Sequence, residues 1–297
     1  MRINPNINDA VNSAIEQSQQ AVTNAFEQVS TGQRVNQPSD DPAASAAYIQ
    51  LQAQSADVDQ YTANASSALS QAQLSDSVIT SVVSLLNQAI TLGTEGANST
   101  SSATDRQSIA TEVQGILSNV VGLANTTFQG VSLFGGTASG QAAFVADPTS
   151  PTGYTYQGNG NVNQVQVGSA LSVQASVPGS TLFENSSGSV LGALSGLATA
   201  LESGTSAQIG TATTAVTTAL NYVTSQHAVF GNAVNQLNSQ ETYLSQETVT
   251  LTSQAQSLVG ISAATAAENL TQAETANSSV LAAAAKVIQN TLLNYLQ

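Results

Sequence analysis

The stretch LQAQSADVDQYTANASSALSQAQLSDSVITSVVSLL, residues 51–86, decides the fold. Within it Leu51, Val58, Ala65, Ala72, Ile79 and Leu86 recur every seven residues, and a companion seam runs Ser55, Thr62, Leu69, Asp76, Val83 and on to Ile90. A period of seven is two helical turns, so each set shares one face, and together they predict a long amphipathic helix. A second unbroken register, Ile209, Val216, Val223, Phe230, Leu237, Leu244, Leu251 and Leu258, predicts another. Each pattern supports a helix of roughly 50 residues, on the order of 75 Å long, and matched lengths predict that the two pair side by side.

Proline divides what lies around these helices, because it removes a helix donor and clashes with the preceding turn. The six prolines stand at 5, 38, 42, 148, 151 and 178, which leaves 43–147 and 179–297 free of them. Between about 128 and 185 the chain holds six of its thirteen aromatic residues, glycine pairs such as Gly135 and Gly136, and a period of two. Val165 and Val167, the turn at Gly168 and Ser169, then Leu171, Val173, Ala175 and Val177 predict a hairpin ended by Pro178 and Gly179, and Tyr154 and Tyr156 alternate likewise.

Shorter helices flank the long ones. Ile15, Val22 and Val29, backed by Val11, Ala14, Ala21 and Ala25, predict an N-terminal helix capped by Gly32. Ser39, Asp40, Asp41 and Pro42 read as the start of the first long helix, an aspartate N-cap followed by proline at the first helical position. Ile109, Val113, Ile116, Val120 and Leu123 predict a further helix, with Thr104 and Gln107 spaced as a capping box. The last helix is expected from about Ser262 through Leu270, Val280, Leu281, Ala284, Ile288 and Leu292 to Tyr295.

The expected fold is mainly α with a small β insertion: a long antiparallel helical bundle with a coiled-coil core, its N- and C-terminal helices paired. An N-terminal assembly helix and linker would occupy 1–41, the first half of the bundle 42–136, the insertion 137–185, the second half 186–260, and a C-terminal assembly helix 261–297.

Composition excludes much chemistry. The 297 residues contain no cysteine, no tryptophan and one histidine, so disulfides, zinc ribbons, iron–sulfur clusters and a cysteine nucleophile are ruled out. A net charge of −14 makes nucleic acid and anionic lipid poor partners. Aromatics at 4% leave the core to be spread thinly over long elements. The start turns polar at once at Arg2 and Asn4, unlike a secretory signal, and the richest apolar stretch, Val280 to Ile288, is about half a bilayer's span and contains Lys286. No membrane insertion is expected.

No catalytic or metal site emerges. His227 lies beside the apolar seam with no carboxylate or hydroxyl cluster evident around it and no other histidine or cysteine to share a metal, and Asp57 and Asp59 point to different helix faces. Asp40 and Asp41 are paired carboxylates, yet the following proline makes helix capping the better account. No cofactor, metal or catalytic residue is assigned, and the chain is not expected to be an enzyme. The amphipathic ends have two readings: they pack within the subunit as bundle helices, or their Ala-, Ser- and Thr-rich seams are completed by neighbouring copies, coupling order to polymerisation.

Several motifs carry a family likeness. Met1 to Asn4, the run Val29 Ser30 Thr31 Gly32 Gln33 Arg34 Val35, then Pro38 to Ala44, and the ending Leu292 Leu293 Asn294 Tyr295 Leu296 resemble the bacterial flagellin family at both chain ends. Within it, Asp40-Asp41-Pro42 and Leu133-Phe134-Gly135-Gly136 resemble the hook-filament junction branch more than filament flagellins, which usually carry Asp-Asp-Ala at the former place. Ala266 to Thr275 is similar to both, while Asn294 and the trailing Gln297 depart from the junction pattern.

The resemblance implies a structural subunit joining hook to filament, extracellular, exported unfolded through the flagellar type III apparatus without a cleaved signal. Its implied partners are further copies of itself, a neighbouring hook-associated protein, flagellin and an export chaperone. The candidate assembly contacts are Ile15, Val22 and Val29 against Leu281, Ile288 and Leu292. Asp40, Asp41 and Pro42 are assigned to capping, with Arg34 as a charge partner. A filament flagellin is the alternative within the family, and a secreted helical adhesin or toxin is the alternative outside it.

Overall fold

The computed structural model describes residues 6–138, 140–174, 176–185 and 188–295, with side chains described from 9 to 287 within them. Among these residues the order is α1 (Asn6–Thr31), α2 (Pro42–Gly96), α3 (Ala103–Ala124), β1 (Thr127–Phe128), β2 (Val131–Ser132), β3 (Phe144–Ala146), β4 (Tyr154–Tyr156), β5 (Gln164–Gln166), β6 (Ser172–Gln174), α4 (Gly179–Phe183), α5 (Val190–Ser203), α6 (Ser206–Val259) and α7 (Ala263–Tyr295). The fold is mainly α with small antiparallel strand pairs. The chain forms two compact units, one of residues 1–58 and 246–297, the other of residues 59–245.

The seven-residue registers decide what is buried. Along α6, Ile209, Val216, Val223, Phe230, Leu237, Leu244 and Leu251 are all buried, and along α2 so are Val58, Ala65, Ala72, Ile79 and Leu86. At 55 and 54 residues, α2 and α6 each extend about 80 Å. In the 59–245 unit they run antiparallel: Asp76 meets His227 at 2.6 Å, and farther along α2 Gly93 faces Thr213 on an earlier turn of α6. The approach at Gly93 is so close that a Cβ there would stand 2.4 Å from the Thr213 hydroxyl. Helices α3 and α5 complete this core through Val113, Val120, Leu194 and Leu197.

Three local readings change. Helix α3 begins at the N-cap Ser102, whose hydroxyl accepts from the Asp105 N–H while the Asp105 carboxylate accepts from the Ser102 N–H, one register before the expected Thr104–Gln107 box. His227 does have a carboxylate partner, Asp76 of the companion seam. The most apolar long helix is α2, by length and composition sufficient to cross a membrane, rather than the stretch around Val280; a third of its most apolar window is buried inside the protein.

Among the described residues the strands form three separate two-stranded hairpins, β1–β2 just ahead of the expected 137–185 insertion and β3–β4 and β5–β6 within it. The first turns on Gln129 and Gly130 with φ of 52° and 81°, the left-handed pair that a two-residue hairpin requires. Phe134, Phe144 and Phe183 meet edge to face at 5.4–5.6 Å, and Tyr156 closes the group, its hydroxyl donating to the Phe134 carbonyl. Burial pushes the Tyr156 phenol up from its ordinary pKa. Asn125 holds β3 like an extra strand: its amide accepts from the Phe144 N–H and donates to the Phe144 carbonyl, both at 2.8 Å. The β5–β6 hairpin is fixed from both long helices, Asn64 of α2 donating to the Gln166 carbonyl and Gln240 of α6 to the Val167 carbonyl.

Candidate assembly interface

Both chain ends enter the 1–58/246–297 unit through matching interruptions. Helix α1 ends where Gly32 takes φ +67° and donates to the Gln28 carbonyl, and α6 ends where Gly260 donates to the Gln256 carbonyl. These two breaks pair in antiparallel fashion: Arg34 N–H donates to the Val259 carbonyl and Ile261 N–H to the Gly32 carbonyl, with Gln33 opposite Gly260. Beneath the pairing Val35, Ala44 and Val259 form a small core flanked by Tyr48 and Leu258.

Arg34 fastens this junction. Its Nη2 donates to the Asp41 carboxylate at 3.1 Å and to the Leu258 carbonyl at 3.0 Å, so one guanidinium joins the start of α2 to the end of α6. Asp41 caps α2, its Oδ1 accepting from the Ala44 N–H with Pro42 at the first helical position. That N–H and the Arg34 guanidinium hold the Asp41 carboxyl below its ordinary pKa. Asp40 takes a different place from the capping role expected for it: its Oδ2 accepts from the Asn36 and Gln37 N–H groups and closes the linker turn.

Beyond the junction α1 and α7 pack along each other. On α1 the seam positions Val11, Ile15, Ser18, Val22 and Ala25 are half-buried or buried, with Glu27 and Gln28 half-buried near its end; on α7 the seam positions are Ala266, Leu270, Ala273, Asn277, Val280, Ala284 and Val287, with Asn269 half-buried beside them. Both sets alternate steps of four and three, the signature of a coiled-coil seam. Two polar pairs set an antiparallel register, Ser18 donating to Asn277 at 2.9 Å and Asn269 to Gln28 at 3.2 Å. Among the described residues of this pair only alanines are fully buried, Ala25, Ala266 and Ala284, so little apolar area leaves water there.

Of the expected assembly residues, Ile15 and Val22 face this seam within the chain. Val29 and Leu281 remain 44% and 45% exposed, and the side chains of Ile288 and Leu292 lie outside the described residues. Phe26, not singled out from the sequence, is 62% exposed on the same helix; an aromatic one position beyond the Ala25 seam residue was the available signal. The arrangement offers exposed apolar side chains beside a shallow seam. It offers no grouping of three or more His, Asp or Glu side chains for a metal among the described residues.

Residues 3–139 match the family defined by the bacterial flagellin N-terminal helical region. The flagellar hook-associated protein 3 of Salmonella typhimurium is 30% identical over 178 residues, which cover 57% of this chain and 55% of that protein. The chain spans about half the length, or less, of the curated relatives it matches. A flagellar hook-associated protein from Vibrio parahaemolyticus has the same fold, with a TM-score of 0.67 at 20% identity over 74% of this chain and 99% of that one. The flagellar junction protein FlgL from Legionella pneumophila follows at a TM-score of 0.58 and 15% identity, covering 72% and 99%. Taken together, these likenesses show a chain that is similar over residues 3–139 to the bacterial flagellin N-terminal helical region, is similar over about half its length to hook-associated protein 3, and shares its fold with a solved flagellar hook-associated protein.

Proposed function

We propose that this chain is a structural subunit of the bacterial flagellum at the junction of hook and filament, assembling through α1 and α7. The observation that carries the reading is the exposed apolar side chains, Phe26 and Val29 towards the end of α1 and Leu281 on α7, beside a seam whose described buried residues are alanines, on a chain similar to hook-associated protein 3. A pair so thinly packed gains most of its order when copies of the same surface cover these side chains. The subunit passes the type III export apparatus unfolded, with an export chaperone as a partner, and acts outside the cell without membrane insertion, nucleic acid, cofactor or catalysis. Its neighbours are further copies of itself, a hook-associated protein and flagellin.

Deletion of the gene, followed by electron microscopy, tests the assignment. The expected result is an intact hook with no filament, restored by the full-length chain, and immunogold label confined to one short zone. Label along the whole filament would make the chain a filament flagellin. Intact flagella in the deletion strain would remove the junction assignment.

A further inference from the structure

A polar cleft of 260 Å³ opens beside the α1–α2 linker, lined by Asn24, Glu27, Arg34, Gln37, Asp40 and two further amide side chains. Part of its hydrogen-bonding capacity is spent: Arg34 is committed to Asp41 and the Leu258 carbonyl, and Asp40 Oδ2 to two linker N–H groups. Among the described residues the Glu27 carboxylate, Asp40 Oδ1 and the Gln37 amide are left without partners. Because Asp41 neutralises Arg34, the cleft is net negative, and the α1–α7 register brings Glu268 to the level of Glu27.

The cations that could answer it are few. The chain carries Arg2, Arg34, Arg106 and a single lysine, Lys286. Lys286 is exposed on α7 and has no carboxylate within ion-pair distance among the described residues. The Ser18–Asn277 register sets it at the level of Asp9, at the far end of the α1–α7 pair from the cleft. Eighteen residues of helix separate it from Glu268, about 27 Å. Arg2 precedes α1 at that same end, and four residues of extended chain reach about 14 Å against about 31 Å of helix between Asn6 and Glu27. Neither of these two cations can therefore enter the cleft of its own subunit, Arg34 is already committed to Asp41, and Arg106 belongs to α3 of the 59–245 unit.

We infer that the cleft receives the Lys286 side chain of the α1–α7 pair of a second copy, shifted about 27 Å along the pair, with Lys286 paired to Glu27 and Asp40. Because the second copy is displaced along the pair and not turned over, the contact repeats from copy to copy rather than closing a two-fold dimer. It also supplies opposite charge where chains of net charge −14 would otherwise repel. The inference rests on the self-assembly reading and names one contact within it.

Zero-length carbodiimide cross-linking of an assembled mixture of isotopically light and heavy chains reads the contact, because only one side-chain amine is present. The expected product is a mixed-isotope peptide pair joining Lys286 to Glu27 or Asp40. Lys286→Glu and Glu27→Lys should each raise the concentration needed for assembly about tenfold, roughly the loss of one charge-assisted contact, and the double variant should return close to the original value. Cross-links from Lys286 to Asp9 of its own chain or to other carboxylates of a second copy, with assembly of the variants unchanged, would overturn this contact and leave self-assembly standing. A wild-type chain that stayed monomeric at every concentration would overturn both.

Discussion

Replacing Gly136 by alanine probes why the motif Leu133-Phe134-Gly135-Gly136 has the residues it has. Gly136 sits at φ +70°, where an L side chain costs about 1–2 kcal/mol. Its Cβ would also stand 2.3 Å from the Asn159 carbonyl and 2.5 Å from Asn159 Oδ1, about 1 Å inside ordinary contact. Asn159 cannot simply retreat, because its Oδ1 accepts from the Thr137 and Asn161 N–H groups. Losing those two bonds adds about 1 kcal/mol each, so Gly136→Ala should cost about 3–4 kcal/mol. Gly130 supplies the control: it too has positive φ, 81°, but nothing lies within 4 Å of its would-be Cβ, so Gly130→Ala should cost only about 1 kcal/mol. Urea unfolding followed by circular dichroism measures both, with an unchanged slope showing that the denatured state is unaltered. Equal costs for the two substitutions would show that the Asn159 contact does not constrain this turn.

Other consequences are open to measurement. Asn125→Ala removes both bonds to the Phe144 backbone and should destabilise the protein by about 2 kcal/mol in the same urea assay. Leu237→Ala, at a fully buried seam position of α6, should cost about 2–5 kcal/mol by thermal or urea unfolding. Because the folded-state pKa of Asp41 is lowered, its contribution is complete above the unfolded value near 4 and is lost as pH falls through the folded value; Asp41→Asn should therefore flatten the acid side of the stability profile below about pH 4. Val22→Asp and Ile288→Asp place a charge on each terminal helix and should abolish assembly and swimming while leaving the unfolding of residues 59–245 unchanged; motile cells carrying both would set the terminal-helix reading aside.

Periodic faces and the pairing of the long and terminal helices were legible, and the individual long-range polar contacts were not. The register from Ile209 to Leu251 is buried at every step because a seven-residue repeat needs only local spacing to define a face. Helix α5 escaped notice because it lies just before that register and is set off by Gly204, where the Thr205–Gln208 capping box starts α6. The start of α3 was misplaced because Ser102–Asp105 and Thr104–Gln107 fit one template two residues apart, and the turn through Asn98–Ser101 selects the first. The Arg34 link to Leu258 and the Asn125 hold on Phe144 depend on groups brought together by folding, with no pattern in the local sequence to announce them. Asp41 and Pro42 could be read as a cap because capping is local; the separate task of Asp40 depends on the linker curling back from Asn36.

Whether the terminal helices owe their order to neighbouring copies is best read by amide hydrogen exchange on the same chain, dilute and assembled. In dilute solution the amides of α1 and α7 should exchange far faster than those at the centres of α2 and α6, and assembly should slow them by orders of magnitude. Full protection from the first turn of α1 to the last of α7 in dilute monomer would contradict this, and would make the terminal pair a self-sufficient part of the subunit.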